Sequence, residues 1–430
     1  MDSYHFIGIK GSGMSAVAQY LHDMGHSVQG EDVEAFLFTQ KSLDSRNIPL
    51  YSFGNAPLSP AMTVIASNAF SDEHPSILQC KRLNIPVRRY HHFLGESLKG
   101  YTSIAITGSH GKTTTTGMMV HALQAIEPTC SLIGDGTGSG HPDARLFVFE
   151  SCEYRRHFLA YQPDIAVITN IDFDHPDYFS DIHDVRRAFE EMASLTGKLL
   201  VVCGDDPQIR LLQTHIETLH YGFGLENELR ASNLHVENSG LSFDVHYKNT
   251  LISRFSIPSF GKHNVLNALA VIGVALALDH NMDQIKAQMA TFAGVQRRFT
   301  EKKWRSNVLI DDYAHHPSEI RATLEAVRCK FPQKKVIGIF QPHTYSRLEK
   351  LLEDFALSLK EADEIFLCEI FGSPRENNGS VSIESLKALI PNARLISDNV
   401  TSDLSSYEDS VLVFMGAGDI QKYQDILFEA

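Results

Sequence analysis

Residues 105–116 read Ala-Ile-Thr-Gly-Ser-His-Gly-Lys-Thr-Thr-Thr-Thr. This glycine-rich stretch follows an apolar run at 103–107 and leads into a helical pattern, so the order of elements is strand, loop, helix. A glycine loop in that position is typical of phosphate-binding α/β proteins. Ile106 stands where the strict motif has its first glycine. The stretch therefore predicts an α/β domain that binds a nucleoside triphosphate.

Four residues of the loop provide the groups that phosphate binding needs. Gly108 and Gly111 allow the backbone to approach phosphate oxygens closely. Lys112 adds a positive charge, and Thr113 offers a hydroxyl to Mg²⁺. The N-terminus of the next helix contributes N–H donors and a favourable dipole. A glycine turn with a chance Lys-Thr pair is the alternative, and the strand–loop–helix context disfavours it.

Apolar strand-like runs alternate with helical patterns along nearly the whole chain of 430 residues, which predicts α/β architecture with mostly parallel sheets. Breaks in the pattern divide the chain into three domains, with expected ranges 1–98, 99–294 and 295–430. Within the central domain, residues 228–257 have the pattern of antiparallel hairpins. We therefore expect a parallel sheet and a small antiparallel sheet there.

Composition limits the class of protein. The chain is 43% hydrophobic and 21% charged, which is typical of a globular protein, and no apolar run is long enough for a membrane span. The N-terminus lacks a signal-peptide pattern and the six cysteines are scattered, so we expect reduced thiols in a cytoplasmic protein. A net charge of −14 disfavours nucleic-acid binding. The oligomeric state, monomer or homodimer, is not indicated.

Acidic and histidine side chains follow two apolar strands of the central domain. Glu150 ends the run 146–150, and His175 closes the segment Thr-Asn-Ile-Asp-Phe-Asp-His after the next strand. Ligand groups collect at the carboxyl ends of strands in open α/β sheets. Mg²⁺ requires hard oxygen ligands. We therefore expect Thr113, Glu150 and His175 to serve magnesium, although each alone is also compatible with a solvated residue.

A second glycine loop, Gly-Ile-Lys-Gly-Ser-Gly-Met at 8–14, lies at the N-terminus. Its spacing is close to the dinucleotide fingerprint but does not match it. Asp32 ends the second strand about twenty residues later, where a ribose hydroxyl is bound in such folds. The loop indicates a nucleotide or nucleotide-sugar pyrophosphate site, with a structural turn as the alternative.

The C-terminal domain has two polar segments at strand ends, Asp-Asp-Tyr-Ala-His-His-Pro at 311–317 and Gln-Pro-His-Thr-Tyr-Ser-Arg at 341–347. Arg347 has the planar fork that binds a carboxylate with two hydrogen bonds. His315 is suited to orient or deprotonate an amine. Zinc is a disfavoured alternative because no third ligand has metal spacing.

Together these segments resemble the Mur ligase family over the whole chain. Further matching segments are Glu150–Leu159, Gly261–Ala270 and Gly294–Phe299. The resemblance implies three domains: an N-terminal Rossmann-like domain for a UDP-sugar, a central ATPase and a C-terminal Rossmann-like domain that closes over the site. It implies an ATP- and Mg²⁺-dependent ligase of peptidoglycan precursors, and favours members that join L-alanine to UDP-N-acetylmuramate.

The resemblance also implies roles for individual residues. The ATP site would comprise Gly108, Ser109, His110, Gly111, Lys112, Thr113, Thr114, Asn264, Asn267, Arg298 and Asp312. The amino-acid substrate would be bound by Tyr313, His315, His343 and Arg347. The UDP moiety would face Gly11, Ser12, Gly13, Asp32 and Ser67. The catalytic groups would be Lys112, Glu150, His175 and His315.

Three departures from the usual family pattern are visible. Lys10 replaces a frequent glycine, Thr344 replaces a frequent arginine, and residues 150–155 read Glu-Ser-Cys-Glu-Tyr-Arg where Glu-Ala-Asp-Glu-Ser-Asp is usual. A murein-tripeptide ligase of cell-wall recycling is the alternative within the family. A nicotinamide-dependent oxidoreductase and a catalytically silent ATP-binding scaffold are alternatives from other classes. They leave the Lys112 loop or the Glu150 and His175 positions unexplained.

Overall fold

The computed structural model describes residues 1–372, 376, 379–396 and 399–429. These residues form three sheets in sequence order, each covered by helices. The predicted α/β class with three domains is confirmed. The domain boundaries at 98/99 and 294/295 stay a prediction. Within the described residues, none of the helices has the length and apolar character that a bilayer crossing requires.

The N-terminal domain is a five-stranded parallel sheet of order β3-β2-β1-β4-β5. Its strands are β1 (Ser3–Ile7), β2 (Ser27–Asp32), β3 (Leu50–Ser52), β4 (Thr63–Ala66) and β5 (Val87–Arg89). Its helices are α1 (Ser12–Asp23), α2 (Gln40–Asp44), α3 (Pro75–Arg82) and α4 (Tyr90–Ser97). The strand order reverses next to β1, so the glycine loop after β1 lies where open α/β sheets bind ligands.

The central domain has one ten-stranded sheet of order β15-β14-β13-β12-β11-β10-β6-β9-β7-β8. Its strands are β6 (Thr102–Thr107), β7 (Thr129–Leu132), β8 (Gly138–Ser139), β9 (Leu146–Glu150), β10 (Ile165–Ile168), β11 (Leu199–Cys203), β12 (Glu217–Gly222), β13 (Leu229–Glu237), β14 (Gly240–Tyr247) and β15 (Thr250–Ile257). Its α-helices are α5 (Lys112–Gln124), α6 (Ile182–Ser194), α7 (Lys262–Ala277) and α8 (Met282–Met289), with 3₁₀ helices at Tyr154–Ala160 and Ile209–Leu211.

The antiparallel strands expected at 228–257 are present as β13–β15. They extend the parallel sheet through the short parallel pairing of β12 with β13, so the two parts form one continuous sheet. Strands β10, β6 and β9 are neighbours in this sheet and run in the same direction. The loops that follow them therefore meet at one edge, which brings the Lys112 loop, Glu150 and the 169–175 segment together.

The C-terminal domain has a six-stranded sheet of order β16-β17-β21-β18-β19-β20, antiparallel only at β16. Its strands are β16 (Thr300–Trp304), β17 (Asn307–Asp312), β18 (Val336–Phe340), β19 (Glu364–Leu367), β20 (Arg394–Leu395) and β21 (Val411–Met415). Its helices are α9 (Pro317–Lys330), α10 (Tyr345–Lys350), α11 (Leu352–Leu359), α12 (Ile383–Leu389), α13 (Val400–Leu404) and α14 (Gln421–Glu429).

The first two domains are packed together more closely than the third. One continuous apolar core runs from α1 of the N-terminal domain into the sheet of the central domain, and Tyr20 packs edge-on against Phe147. The C-terminal domain has its own two apolar cores, on either face of its sheet. Phe173 of the central domain packs against one of them. The N-terminal and central domains therefore form one packed unit.

Helix α1 contacts the central domain through buried polar groups. The Gln19 side-chain amide donates to Gly136 O at 2.7 Å and accepts from Gly138 N at 3.3 Å. Arg46 donates to Gly138 O at 3.2 Å and to the Asp23 carboxylate. Gly138 has no room for a side chain, because a Cβ there would lie 1.9 Å from Ala16 O. The close approach of α1 to β8 therefore depends on glycine.

We expect Gly138→Ala to separate α1 from β8 and to lower the free energy of unfolding by about 1–3 kcal/mol, the usual result of overpacking. Urea denaturation measures this change. Gly197→Ala is the matched control, because a Cβ at Gly197 meets only ordinary contacts at 3.6 Å and beyond. That variant should stay within about 0.5 kcal/mol of the wild type. Equal effects of the two variants would contradict the packing described here.

Candidate active site at the junction of the three domains

The glycine loop between β6 and α5 has the geometry that phosphate binding requires. Gly108 and Gly111 have φ angles of +132° and +79°, which favour glycine. A Cβ on Gly108 would lie 2.0 Å from Thr169 Oγ1, and one on Gly111 would lie 2.9 Å from Asn267 Oδ1. No side chain caps the N-terminus of α5. Its backbone N–H groups are therefore available to an anion.

Lys112 is the first residue of α5 and folds back beneath the loop. Its ammonium group donates to Gly108 O, to Ser109 O at 3.0 Å and to Glu153 Oε2 at 3.0 Å. Burial disfavours the charged form, but the neighbouring acidic groups, above all Glu153, together outweigh burial and raise the pKa of Lys112 above its usual value. Lys112 is therefore held as a cation at the centre of the site.

Thr113, Glu150 and His175 line the same cavity of about 240 Å³. The Thr113 hydroxyl donates to Glu150 Oε2 at 2.8 Å. Burial raises the pKa of Glu150 and lowers that of His175, so the imidazole is neutral at pH 7. A hydroxyl, a carboxylate and a neutral imidazole within one cavity fit a divalent cation. The predicted metal set is thus brought together.

A larger cavity of about 700 Å³ lies beside the loop, between the central and C-terminal domains. Its size is in the range that holds a small-molecule ligand such as a nucleotide. The predicted ATP-site residues that line it are His110, Gly111, Thr114, Asn264, Asn267, Arg298 and Asp312. Asn267 Nδ2 donates to Asn264 Oδ1 at 3.2 Å, which fixes the two amides relative to each other.

Two of the residues that line the larger cavity, Arg298 and Asp312, belong to the C-terminal domain. Asp312 accepts backbone hydrogen bonds from Phe299 and Ala314, both at 2.8 Å. Burial outweighs these bonds and the nearby Arg298, and raises the pKa of Asp312 to about 6. Arg298 also lies 3.6 Å from Glu319, and its guanidinium group packs over the Tyr313 ring. The cavity wall therefore carries opposite charges that face each other.

A group of partly buried ion pairs joins the central domain to the C-terminal domain. His110 lies between two carboxylates, with Nε2 at 3.1 Å from Asp172 and Nδ1 at 3.5 Å from Glu319. Ser318 Oγ donates to the same Asp172 oxygen at 2.6 Å. Burial opposes protonation of His110, but the two carboxylates raise its pKa to about 10. The loop histidine is therefore a cation that binds an acidic group on each domain.

Profiles of three Mur ligase domains match the chain in order. The family catalytic-domain profile matches residues 3–102, the middle-domain profile matches 106–275, and the glutamate ligase domain profile matches 297–418. The chain belongs to the Mur ligase family. Enzymes of this family are ATP-dependent ligases of peptidoglycan precursors, and they generally use Mg²⁺. The predicted family is confirmed.

Solved structures of Mur ligases have the same fold. UDP-N-acetylmuramate–alanine ligase from Thermotoga maritima is 27% identical, with a TM-score of 0.82 over 100% of this chain and 99% of that chain. A murein peptide ligase from Psychrobacter arcticus is 20% identical, with a TM-score of 0.74 over 100% and 98%. MurF from Acinetobacter baumannii is 18% identical, with a TM-score of 0.68 over 99% and 93%. The three differ in activity by their names, so the fold alone does not define the substrate.

In this Mur ligase the residues predicted for the amino acid fall into two groups. Tyr313 and His315 line the smaller cavity. His343 and Arg347 line neither cavity, and Arg347 is only 4% exposed. Arg347 Nε donates to Asp174 Oδ1 at 2.9 Å, and its Nη1 donates to His343 O at 3.1 Å. The expected binding of a substrate carboxylate by Arg347 therefore has to compete with Asp174 and stays a prediction.

The residues predicted for the UDP moiety are also divided. Ser12 lines the smaller cavity, whereas Gly11, Gly13, Asp32 and Ser67 line neither cavity. Both Asp32 carboxylate oxygens accept backbone N–H groups, one from Lys10 at 2.7 Å and one from Val33 at 2.8 Å. Asp32 thus connects the glycine loop after β1 to the start of the loop after β2. Its expected contact with a ribose hydroxyl stays a prediction.

Two carboxylates of this Mur ligase were missed by sequence reasoning. Glu153 is 1% exposed and pairs with Lys112. Glu319 lies within reach of His110, Arg298 and His315. Its contacts with His315 and His110 hold the pKa of Glu319 well below the usual range despite burial. Glu319 follows His315 by four residues in the first turn of α9, and that spacing is a signal that could have identified it.

We expect the contact between the two domains to weaken in alkali because of His110. Its pKa is raised from about 6.5 when unfolded to about 10 in the fold. Its stabilising contribution is therefore complete below pH 6.5 and is lost as the pH rises towards 10. Urea denaturation should show that the stability difference between wild type and His110→Gln shrinks over this range by more than about 1.4 kcal/mol, the equivalent of one pKa unit. Parallel pH profiles for the two proteins would contradict the double ion pair.

Proposed function

We propose that this Mur ligase joins L-alanine to the lactyl carboxylate of UDP-N-acetylmuramate in the cytoplasm, with cleavage of ATP to ADP and phosphate. One observation carries the proposal. The smaller cavity is lined by Ser12 of the N-terminal domain, Lys112 of the central domain, and Tyr313 and His315 of the C-terminal domain. A carboxylate, a phosphate and an amine delivered by three domains would meet there.

The first step is phosphoryl transfer to the carboxylate. A carboxylate oxygen of the substrate attacks the γ-phosphorus, the bond to the bridging oxygen breaks, and ADP leaves. Lys112 and the N–H groups at the start of α5 stabilise the negative charge on the phosphate oxygens. Thr113, Glu150 and His175 would hold Mg²⁺, which would supply further neutralisation of the phosphate charge. The product is an acyl phosphate, whose carbonyl carbon is a good electrophile.

The second step is attack by the amine of alanine on that carbonyl carbon. A tetrahedral intermediate forms, phosphate leaves, and the amine nitrogen loses a proton. His315 is the base that the geometry supports. Its Nδ1 lies 3.0 Å from Tyr313 O and 3.1 Å from Glu319 Oε2, so both acceptors favour a proton on Nδ1. Nε2 is then free to accept the proton from the amine.

The acyl phosphate hydrolyses if water reaches it, so the site has to be closed during the reaction. The buried ion pair of Asp174 with Arg347 and the hydrogen bond of Asp172 with Ser318 connect the C-terminal domain to the central domain. They lie beside the proposed reaction centre, because Asp174 lines the smaller cavity and Asp172 the larger one. These contacts support a closed arrangement in which the domains exclude water.

We expect Lys112→Ala to lower the rate of phosphate release by at least about 100-fold, because the cation that stabilises the transferred phosphate is removed. A coupled assay for phosphate measures it, with circular dichroism as a check on folding. Lys198→Ala is the control, since Lys198 is in the same domain and its side chain is 65% exposed. Near-normal turnover by Lys112→Ala would refute the assignment of the loop.

We expect phosphate release in wild-type enzyme to require ATP, Mg²⁺, UDP-N-acetylmuramate and L-alanine together. The product should have the mass of UDP-N-acetylmuramate plus alanine minus water. The assay is repeated with other amino acids and with the tripeptide L-alanyl-γ-D-glutamyl-meso-diaminopimelate. Turnover with the tripeptide and not with alanine would replace the proposed activity by the recycling ligase. Absence of turnover with every acceptor would favour the silent ATP-binding scaffold.

A further inference from the structure

Glu153 is a buried carboxylate to which the proposed mechanism gives no role. It follows Glu150 by three residues, and its side chain is 2% exposed. Oε2 accepts a hydrogen bond from Lys112 at 3.0 Å. Oε1 is buried and has no hydrogen-bond partner. A buried carboxylate oxygen without a partner is unfavourable, which indicates that Oε1 has a ligand in some functional state.

The surroundings of Oε1 indicate which ligand fits. His175 Nε2 lies 3.6 Å away. In octahedral coordination with bonds of about 2.1 Å, adjacent ligand atoms are about 3 Å apart. A small adjustment of either side chain would therefore let Glu153 and His175 hold one divalent cation between them. Cys152 offers a third ligand atom within 4.8 Å of both, but a thiol is a poor ligand for Mg²⁺.

The contacts of Lys112 show what has to change first. An ammonium group has three protons, and Lys112 directs them to Gly108 O, Ser109 O and Glu153 Oε2. It cannot donate to a phosphate oxygen without leaving one of these acceptors. If Lys112 leaves Glu153, a buried carboxylate loses a cationic hydrogen-bond partner, which is costly unless another cation replaces it.

We propose that Glu153 exchanges partners during nucleotide binding: it holds Lys112 before the triphosphate binds, and then becomes a ligand of a divalent cation together with His175. This inference rests on the proposed ATP site. It makes the positions of lysine and metal mutually dependent, because Lys112 moves to the phosphate only when a cation takes its place at Glu153. Metal would thus be needed to release the lysine as well as to neutralise the phosphates.

The test uses Glu153→Gln, which keeps the shape of the side chain and removes its charge. In EDTA, calorimetric titration with ATP should show tighter binding to Glu153→Gln than to wild type, by about fivefold or more, because Lys112 is free and a negative charge is gone. Electron paramagnetic resonance then measures Mn²⁺ binding in the presence of a non-hydrolysable ATP analogue. The affinity of one Mn²⁺ site should be lower in Glu153→Gln than in wild type by at least about tenfold, the usual effect of removing a group that supports a metal site. Glu237→Gln, which removes a charge from an exposed hairpin of the same domain, should change neither.

A second variant tests the exchange from the other side. Lys112→Met removes the cation that competes for Glu153. In the absence of nucleotide, this variant should therefore bind Mn²⁺ more tightly than wild type does. The double variant Lys112→Met/Glu153→Gln should not show this gain in Mn²⁺ affinity. The inference would be overturned if Glu153→Gln and Lys112→Met both bound Mn²⁺ with the affinity of wild type. It would also be overturned if Glu153→Gln lost Mn²⁺ binding but did not bind ATP more tightly in EDTA. Failure of wild type to bind ATP with Mg²⁺ would instead overturn the proposed function, so the two failures are distinguishable.

Discussion

Pairing of buried charges is the constraint on which the active site depends. The loops after β9 and β10 carry Glu153, Asp172 and Asp174, and each of these carboxylates pairs with a cation. Glu153 and Asp174 are buried, where an unpaired charge is costly, whereas Asp172 is partly exposed. Lys112 from the phosphate loop pairs with the first, and His110 from the same loop pairs with the second. The third pairs with Arg347 of the C-terminal domain. A parallel sheet that gathers three carboxylates from the loops after β9 and β10 thus draws cations from the phosphate loop and from another domain.

This constraint explains why the three domains are joined in two different ways. The N-terminal and central domains share an apolar core, and such an interface is non-directional and does not depend on ligand charge. The C-terminal domain contacts the site through ion pairs and hydrogen bonds around Asp172 and Asp174. A bound phosphate or metal changes the charge at those contacts directly. We therefore expect the position of the C-terminal domain to respond to what occupies the site.

Much of the fold could be predicted from the sequence because the signals are local. The strand Leu146–Glu150 has the predicted bounds, since it is a continuous apolar run that ends at a polar loop. The placement of Lys112 and Glu150 in one site could be predicted as well, because each follows the carboxyl end of a strand. Partners distant in the chain could not be predicted. The contact of Arg347 with Asp174 spans 173 residues, and no local pattern indicates it.

Two residues that depart from the family pattern, Tyr154 and Lys10, are explained by the packing around the site. Tyr154 stands where serine is usual, and its ring packs 4.5 Å from that of His175, while its hydroxyl donates to Asp177. His175 has a left-handed φ of +57°, which is unfavourable for a residue other than glycine and needs support from its neighbours. Tyr154 supplies that support from the other side of the loop. Lys10 acts similarly in the N-terminal domain, where its ammonium group donates to the carbonyls of Val33 and Ala35. Both departures therefore alter how the loops around the site are held, and the groups that would contact phosphate and metal are retained.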